Sequence, residues 1–456
     1  MYFYERSMQL LKPQGALSFI TSNKWYRSGY GKALRTYMRS HSKLMSIIDF
    51  GDEAVFTALA YPTIVIAQKR DMPLNPPPEA DEVLALNWSK EQEVEQFPMV
   101  FSDAAFAVPQ RELKADGWQL EPPAKRRLLQ RMRLAGTPLG EYCKGHFYYG
   151  LKTGLNEAFV VDGTRRAELI ATDQRSAEVI KPYLRGRDVK RWSTKPQDLW
   201  VIFIPWHFPL HEDASITEAS AQAEKLFRKN YPAIYEHLRQ FMPQLKSRDQ
   251  TETGIRYEWY ALQRFREFWR EFERPKIIYP DIYLHQSFSW DSQGYYPANT
   301  CYFIPTDQKW LCGLLNAPAI EWFYEQIANR IQGGYLRAFS DRMQTVPIPP
   351  ASLAQQSIIE SLVTAVIEID DPKVEQLING LVYELFFPDD LRAAGIRLFD
   401  ACEREHITRL ATLQGAALQT ESAALAERIF SNNHPIYAML FDLQALDVVR
   451  IIEARD

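Results

Sequence analysis

The residues best suited to chemistry lie in two turn-forming segments near the middle of the chain. The first, Tyr148 to Phe159, sets Lys152, Thr153 and Asn156 among Gly150 and Gly154. The second, Ile180 to Trp192, crowds Arg185, Arg187, Lys190 and Arg191 about Gly186. Cations offer charge to phosphate oxygens, hydroxyl and amide groups fix register, and glycines let a backbone approach closely. An arginine fork can also bond a guanine edge in two places, and Asp188 is placed to orient one. With Tyr183 and Trp192 adding flat rings, the pattern suits a surface that grips a polyanion, and DNA is the obvious one. The bland alternatives are a simple hairpin at the two glycines and a solvated charged face.

A third segment, Asn329 to Arg337, leads from an amphipathic helix into a glycine turn. Backbone amides at Gly333 and Gly334, with the charges of Arg330 and Arg337, would suit phosphate oxygens there. A plain helix stop fits the same residues. From Lys144 to Arg191, ten Lys or Arg stand against six Asp or Glu, whereas the whole chain has a net charge of -4. A DNA site must therefore be a local patch on an acidic body.

Other chemistries find no support. The cysteines Cys143, Cys301, Cys312 and Cys402 form no C-x-x-C pair, and the histidines show no ligand spacing, so neither a metal site nor a disulfide framework is expected. No H-E-x-x-H, P-loop or G-x-S-x-G occurs. Asp370-Asp371 and Asp389-Asp390 adjoin prolines and read as caps or turns. No catalytic residue is assigned. No apolar run reaches about 18 residues, and the first residues lack the order of a secretion signal, which points to a soluble cytoplasmic protein without a membrane partner.

These segments need elements to position them. Tyr2 to Leu11 has helical spacing, Ala16 to Thr21 reads as a buried strand, and Tyr30 to Arg39 is a helix with Leu34 and Met38 on one face. Leu44 to Phe50 and Tyr61 to Gln68 are further strands, so residues 1–72 predict an α/β region: a parallel or mixed sheet covered by helices. About three strands fall short of a doubly wound domain, which normally has five or more. Pro76-Pro77-Pro78 marks residues 73–139 as linker and excursion. Residues 140–350, rich in Tyr, Trp, Phe and Pro, predict an irregular α+β region with helices over Ala221 to Phe241 and Tyr257 to Phe272. Ser352 to Asp370 and Pro372 to Leu385 form a helical pair opening a helical region, 351–456.

The stretch Leu10 to Trp25, with Gly29 to Arg35, resembles the post-catalytic strand and helix of gamma-class, Taq-type adenine-N6 DNA methyltransferases, including the methylase parts of type IIG restriction–modification proteins. Ile48 to Asp52 and Val55-Phe56 continue the likeness. The two central segments, with Pro275 to Ile278, Leu314 to Pro318 and Gly333 to Arg337, resemble the target recognition (specificity) domain that follows such methylases. The likeness covers roughly residues 2 to 390. It implies a partial methyltransferase sheet, then a target recognition domain, then a helical C-terminal region. It also implies that Phe56 packs against a flipped base, with Asn23, Lys24 and Trp25 at the strand end lining the pocket. For Phe56 the alternative is a cap on the sheet edge, and for Trp25 a plug of a helix.

The chain departs from the family in two motifs. The acidic, glycine-containing turn that holds S-adenosylmethionine and the Asn/Asp-Pro-Pro-Tyr/Phe loop that holds the target amine should both precede Leu10, and neither is present. Asn75-Pro76-Pro77-Pro78 has a proline where the stacking aromatic belongs. The resemblance then implies an N-terminally truncated methylase that binds double-stranded DNA, does not by itself bind S-adenosylmethionine or transfer methyl, and works with a second polypeptide carrying the missing half. The alternative is a non-catalytic scaffold or interaction module.

Overall fold

The computed structural model describes residues 2–26, 28–51, 61–88, 93–118, 120–248, 256–264, 268–330 and 334–454. Two compact units divide the chain, Met1–Arg131 and Met132–Asp456.

The first unit opens with helix α1 (Tyr2–Leu10), strand β1 (Ala16–Ser22), helix α2 (Lys32–His41), and strands β2 (Ser42–Asp49) and β3 (Pro62–Lys69). Strands β4 (Glu82–Asn87) and β5 (Phe106–Pro109) follow, with helix α3 (Phe97–Ala104) between them. The mixed sheet has the order β1-β3-β2-β4-β5; β3 runs antiparallel to both β1 and β2, and β2 runs parallel to β4. Residues 1–72 do supply three strands. The remaining two fall in the stretch expected to be linker, 73–139, so that expectation is corrected for residues 82–109, which extend the sheet. Single-sequence periodicity missed them because each is short, six and four residues, and one is bounded by proline.

Thr63, Val65 and Ala67 alternate inward on β3, the period of two that a sheet covered on one face requires. Leu34, Arg35 and Met38 of α2 face the same core. Arg35 is buried, and the Asp116 carboxylate is the charge that opposes its desolvation. Its guanidinium donates to the carbonyls of Trp25, Ser28 and Ala115, and burial lowers its pKa. Among the described residues, β1 has no strand on its outer side, and Tyr2, Phe3 and Leu10 of α1 and Ile20 of β1 are exposed.

In the second unit, one four-stranded sheet pairs Tyr296–Pro297, Ile180–Leu184, Leu199–Ile202 and Val160–Asp162 in that order; the other pairs Ser289–Asp291, Lys276–Pro280, Cys301–Pro305 and Tyr148–Tyr149. Helices Ala221–Asn230 and Pro232–Arg239 match expectation. The helix expected over Tyr257 to Phe272 does not. Among the described residues this stretch has only a 3-10 turn, Trp269–Glu273. The backbone from Leu262 to Arg264 bonds to Ile204, Thr153 and Lys152, and Arg248 takes the carbonyls of Trp259 and Ala261. Long-range partners thus satisfy groups that a helix would have paired internally.

Helix Leu353–Ile369 starts at a capping box, Ser352 with Gln355, and ends at Asp370 in the left-handed region. Asp371 then caps helix Pro372–Phe386 by accepting from Lys373 N, so this acidic pair has the capping role expected of it. Among the described residues no helix is long and apolar enough to cross a membrane.

Candidate nucleic-acid interface

At the ends of β1 and β2, Asn23 Nδ2 donates to Asp49 Oδ1 at 2.8 Å, and Gly51 N donates to the same oxygen at 2.9 Å. Asn23 N bonds the Tyr61 carbonyl, and the exposed Lys24 ammonium lies 5.1 Å from the Tyr61 ring centre. Asn23 and Lys24 thus share a polar rim at the strand ends. Trp25 does not join them. It is 4% exposed and packs on Tyr4, Tyr26 and Trp118, which corrects the pocket-lining expectation in favour of the plug: indole area is worth more in the core than at a wet rim. Phe56 lies outside the described residues. Asn75-Pro76-Pro77-Pro78 sits at the opposite end of the sheet, where Leu74 N bonds the Ser40 carbonyl ahead of β2.

The first central segment turns inward. A Cβ on Gly150 would lie 2.1 Å from the Ala298 carbonyl oxygen, so the close approach this glycine permits is to the protein's own chain. Gly154 has φ +81°, and a Cβ there would press on the side chains of Arg248 and Gln263. Thr153 is buried and its hydroxyl donates to Asn156 Oδ1 at 2.6 Å. Its expected phosphate contact is therefore corrected to a local clasp. Asn156 itself is exposed at the start of helix Asn156–Phe159, and half-buried Lys152 exchanges backbone bonds with Arg264.

The second segment turns outward. Arg185 forks onto Asp188, Nε to Oδ2 at 2.9 Å and Nη2 to Oδ1 at 3.2 Å, so Asp188 does orient a guanidinium. Asp188 is buried and its other bond, from Arg185 N, closes the turn. Farther along, Ser289 Oγ donates to the carbonyls of Lys190 and Ser193, and Lys195 N bonds the Asp188 carbonyl at 2.8 Å. On this pinned loop Arg187, Lys190 and Lys195 are exposed, and none of them has an ion-pair partner among the described residues. Arg191 differs, being half-buried and paired with Glu375. Sequence reasoning missed both Lys195 and Glu375. Lys195 lay just beyond the motif, and Glu375 carried no signal, being 183 positions from Trp192, the loop residue whose indole it accepts.

Near the third segment, Arg337 lies 3.6 Å from Asp281 and over the Phe339 ring at 5.1 Å. Burial raises the Asp281 pKa, and Arg337 opposes that rise. Strand Asn329–Arg330 pairs with Leu336–Arg337, and Gly334 has φ +78°, a turn conformation that favours glycine. Gly333 and the Arg330 side chain lie outside the described residues.

Residues 1–56 match the Eco57I restriction-modification methylase family, and residues 181–348 match the TaqI-like C-terminal specificity domain. Over 408 residues the chain is 21% identical to the type II methyltransferase M.XhoI of Xanthomonas vasicola, covering 84% of this chain and 67% of that protein. Against M.PaeR7I of Pseudomonas aeruginosa it is 22% identical over 402 residues, covering 84% and 63%. A solved structure of the type IIL restriction-modification enzyme MmeI in complex with DNA aligns with a TM-score of 0.48 at 11% identity, over 99% of this chain and 52% of that one. The chain therefore spans about two thirds of the length of these curated relatives and about half of the solved structure. Its likeness to Taq-type restriction–modification methyltransferases thus rests on a methylase match over residues 1–56 followed by a TaqI-like specificity domain over residues 181–348.

Proposed function

We propose that this chain is the carboxyl-terminal part of a site-specific adenine-N6 DNA methyltransferase of a restriction–modification or phage-defence system, and that its own activity is binding double-stranded DNA. The supporting observation is the pinned loop that presents Arg187, Lys190 and Lys195 to solvent without acidic partners among the described residues. Holding the loop rigid lowers the entropic cost of placing three cations on a phosphate backbone. Arg337 and Asn156 add a second, weaker set of contacts. Arg185 serves this surface by shaping its turn.

On this reading the chain by itself does not hold S-adenosylmethionine. Asp49, the carboxylate at the described strand ends, is taken up by Asn23 and the Gly51 amide, and the chain lacks an Asn/Asp-Pro-Pro-aromatic loop to accept from a target amine. A second polypeptide would have to supply both. The outer edge of β1 and the apolar side chains exposed on α1 are a suitable meeting place, since unpaired strand edges attract other chains. In such a complex the rim of Asn23 and Lys24, with Phe56, would border the extruded adenine.

The purified chain is expected to retard duplex DNA with an affinity that falls steeply with salt, by a slope of about 0.9 per phosphate neutralised. It is expected to move no labelled methyl group from S-adenosylmethionine to DNA. Salt-insensitive binding would end the DNA reading, and methyl transfer by the chain alone would end the divided-enzyme reading.

A further inference from the structure

Beyond the matched specificity domain, helix Pro372–Phe386 meets the cationic loop through one carboxylate. Glu375, in the helix's first turn, accepts from Trp192 Nε1 at 3.0 Å through Oε2 and pairs with Arg191 Nη2 through Oε1. The Arg191 guanidinium also lies 5.4 Å from the Trp192 ring centre. Trp192 is buried and holds φ +71°, a conformation uncommon for a bulky side chain and maintained only where surroundings impose it. Its backbone is stitched to the neighbouring strand, N to the Phe288 carbonyl and carbonyl to Trp290 N. Arg191 Nε has no acceptor among the described residues, so the fork is engaged at one end only.

We propose that Glu375 is a positioning residue for DNA recognition: it fixes Trp192 at the base of the loop and holds Arg191 back, leaving Arg187, Lys190 and Lys195 as the outward cations. This rests on the DNA-binding reading above. The helical region then shapes the contact surface although it lies outside the specificity match. It also limits the loop's charge, because Arg191 is neutralised before DNA arrives.

The substitution Glu375→Gln separates these roles. Its amide carbonyl still accepts from the Trp192 indole, but the charge that restrains Arg191 is gone. In a salt series on the whole chain with duplex DNA, E375Q is expected to bind about three- to tenfold more tightly at low salt, with a slope steeper by about 0.9, one added phosphate contact. Adding Arg191→Met to E375Q should return the slope to the wild-type value. If Arg187→Ala with Lys190→Ala weakens binding while E375Q changes neither affinity nor slope, the role of Glu375 is overturned and the DNA reading stands. If no form binds DNA, both are overturned.

Discussion

Replacing Arg187 and Lys190 together with alanine is expected to lower the salt dependence of DNA binding by about 1.8, two phosphate contacts at about 0.9 each, and to weaken low-salt affinity by about 10- to 100-fold. Both side chains stand in solvent on a loop whose backbone is bonded independently of them, so their removal leaves no buried group without a partner. Folding should be unaffected. The loss should be similar for all sequences if both groups meet phosphates; if Arg187 reads a base edge, Arg187→Ala alone should relax specificity at one position. Arg185→Ala is the instructive contrast. It strips a buried carboxylate, Asp188, of its fork and should damage stability more than the salt slope. An unchanged slope in the double variant removes the loop from the interface.

Lys276→Met is expected to destabilise the second unit by about 3–5 kcal/mol. Lys276 Nζ and Asp291 Oδ2 are 2.5 Å apart, with side chains 0% and 1% exposed, so the carboxylate left behind would be buried without its cation. Backbone donors from Gln293 and Tyr295 would offset part of that cost. Burial lowers the Lys276 pKa, while Asp291 and, after it, Glu273 raise it, the opposition expected of a buried cation held by anions. The pair clamps strand Lys276–Pro280 to Ser289–Asp291, and Ser289 in turn holds the cationic loop. A urea denaturation series should show the midpoint falling at constant slope, with partial recovery when Asp291→Leu is added. A loss under about 1 kcal/mol would mean that water or the backbone already solvates Asp291.

The pattern of apolar residues located α1, β1, α2, β2 and β3 to within a few residues, because each has a periodicity that one face of a core imposes. The family likeness, carried by short motifs in order, was equally local. Strands β4 and β5 were hidden in a proline-rich stretch because they are held by neighbours rather than by their own pattern. Tyr257 to Phe272 misled in the opposite direction. Its spacing suits a helix, yet Arg248 and distant backbone groups claim its polar atoms.

At the candidate interface, residue types by themselves determined that cations, glycines and rings gather in a few turns, since composition and spacing are properties of the chain. Which of them are left exposed was decided by tertiary structure alone. Gly150 and Thr153 look outward in sequence and pack inward in space, while Arg185 and Arg191 are spent on Asp188 and Glu375. The reason is physical: a side chain's availability depends on burial and on the nearest opposite charge, and Glu375 reaches this loop from far along the chain only through folding.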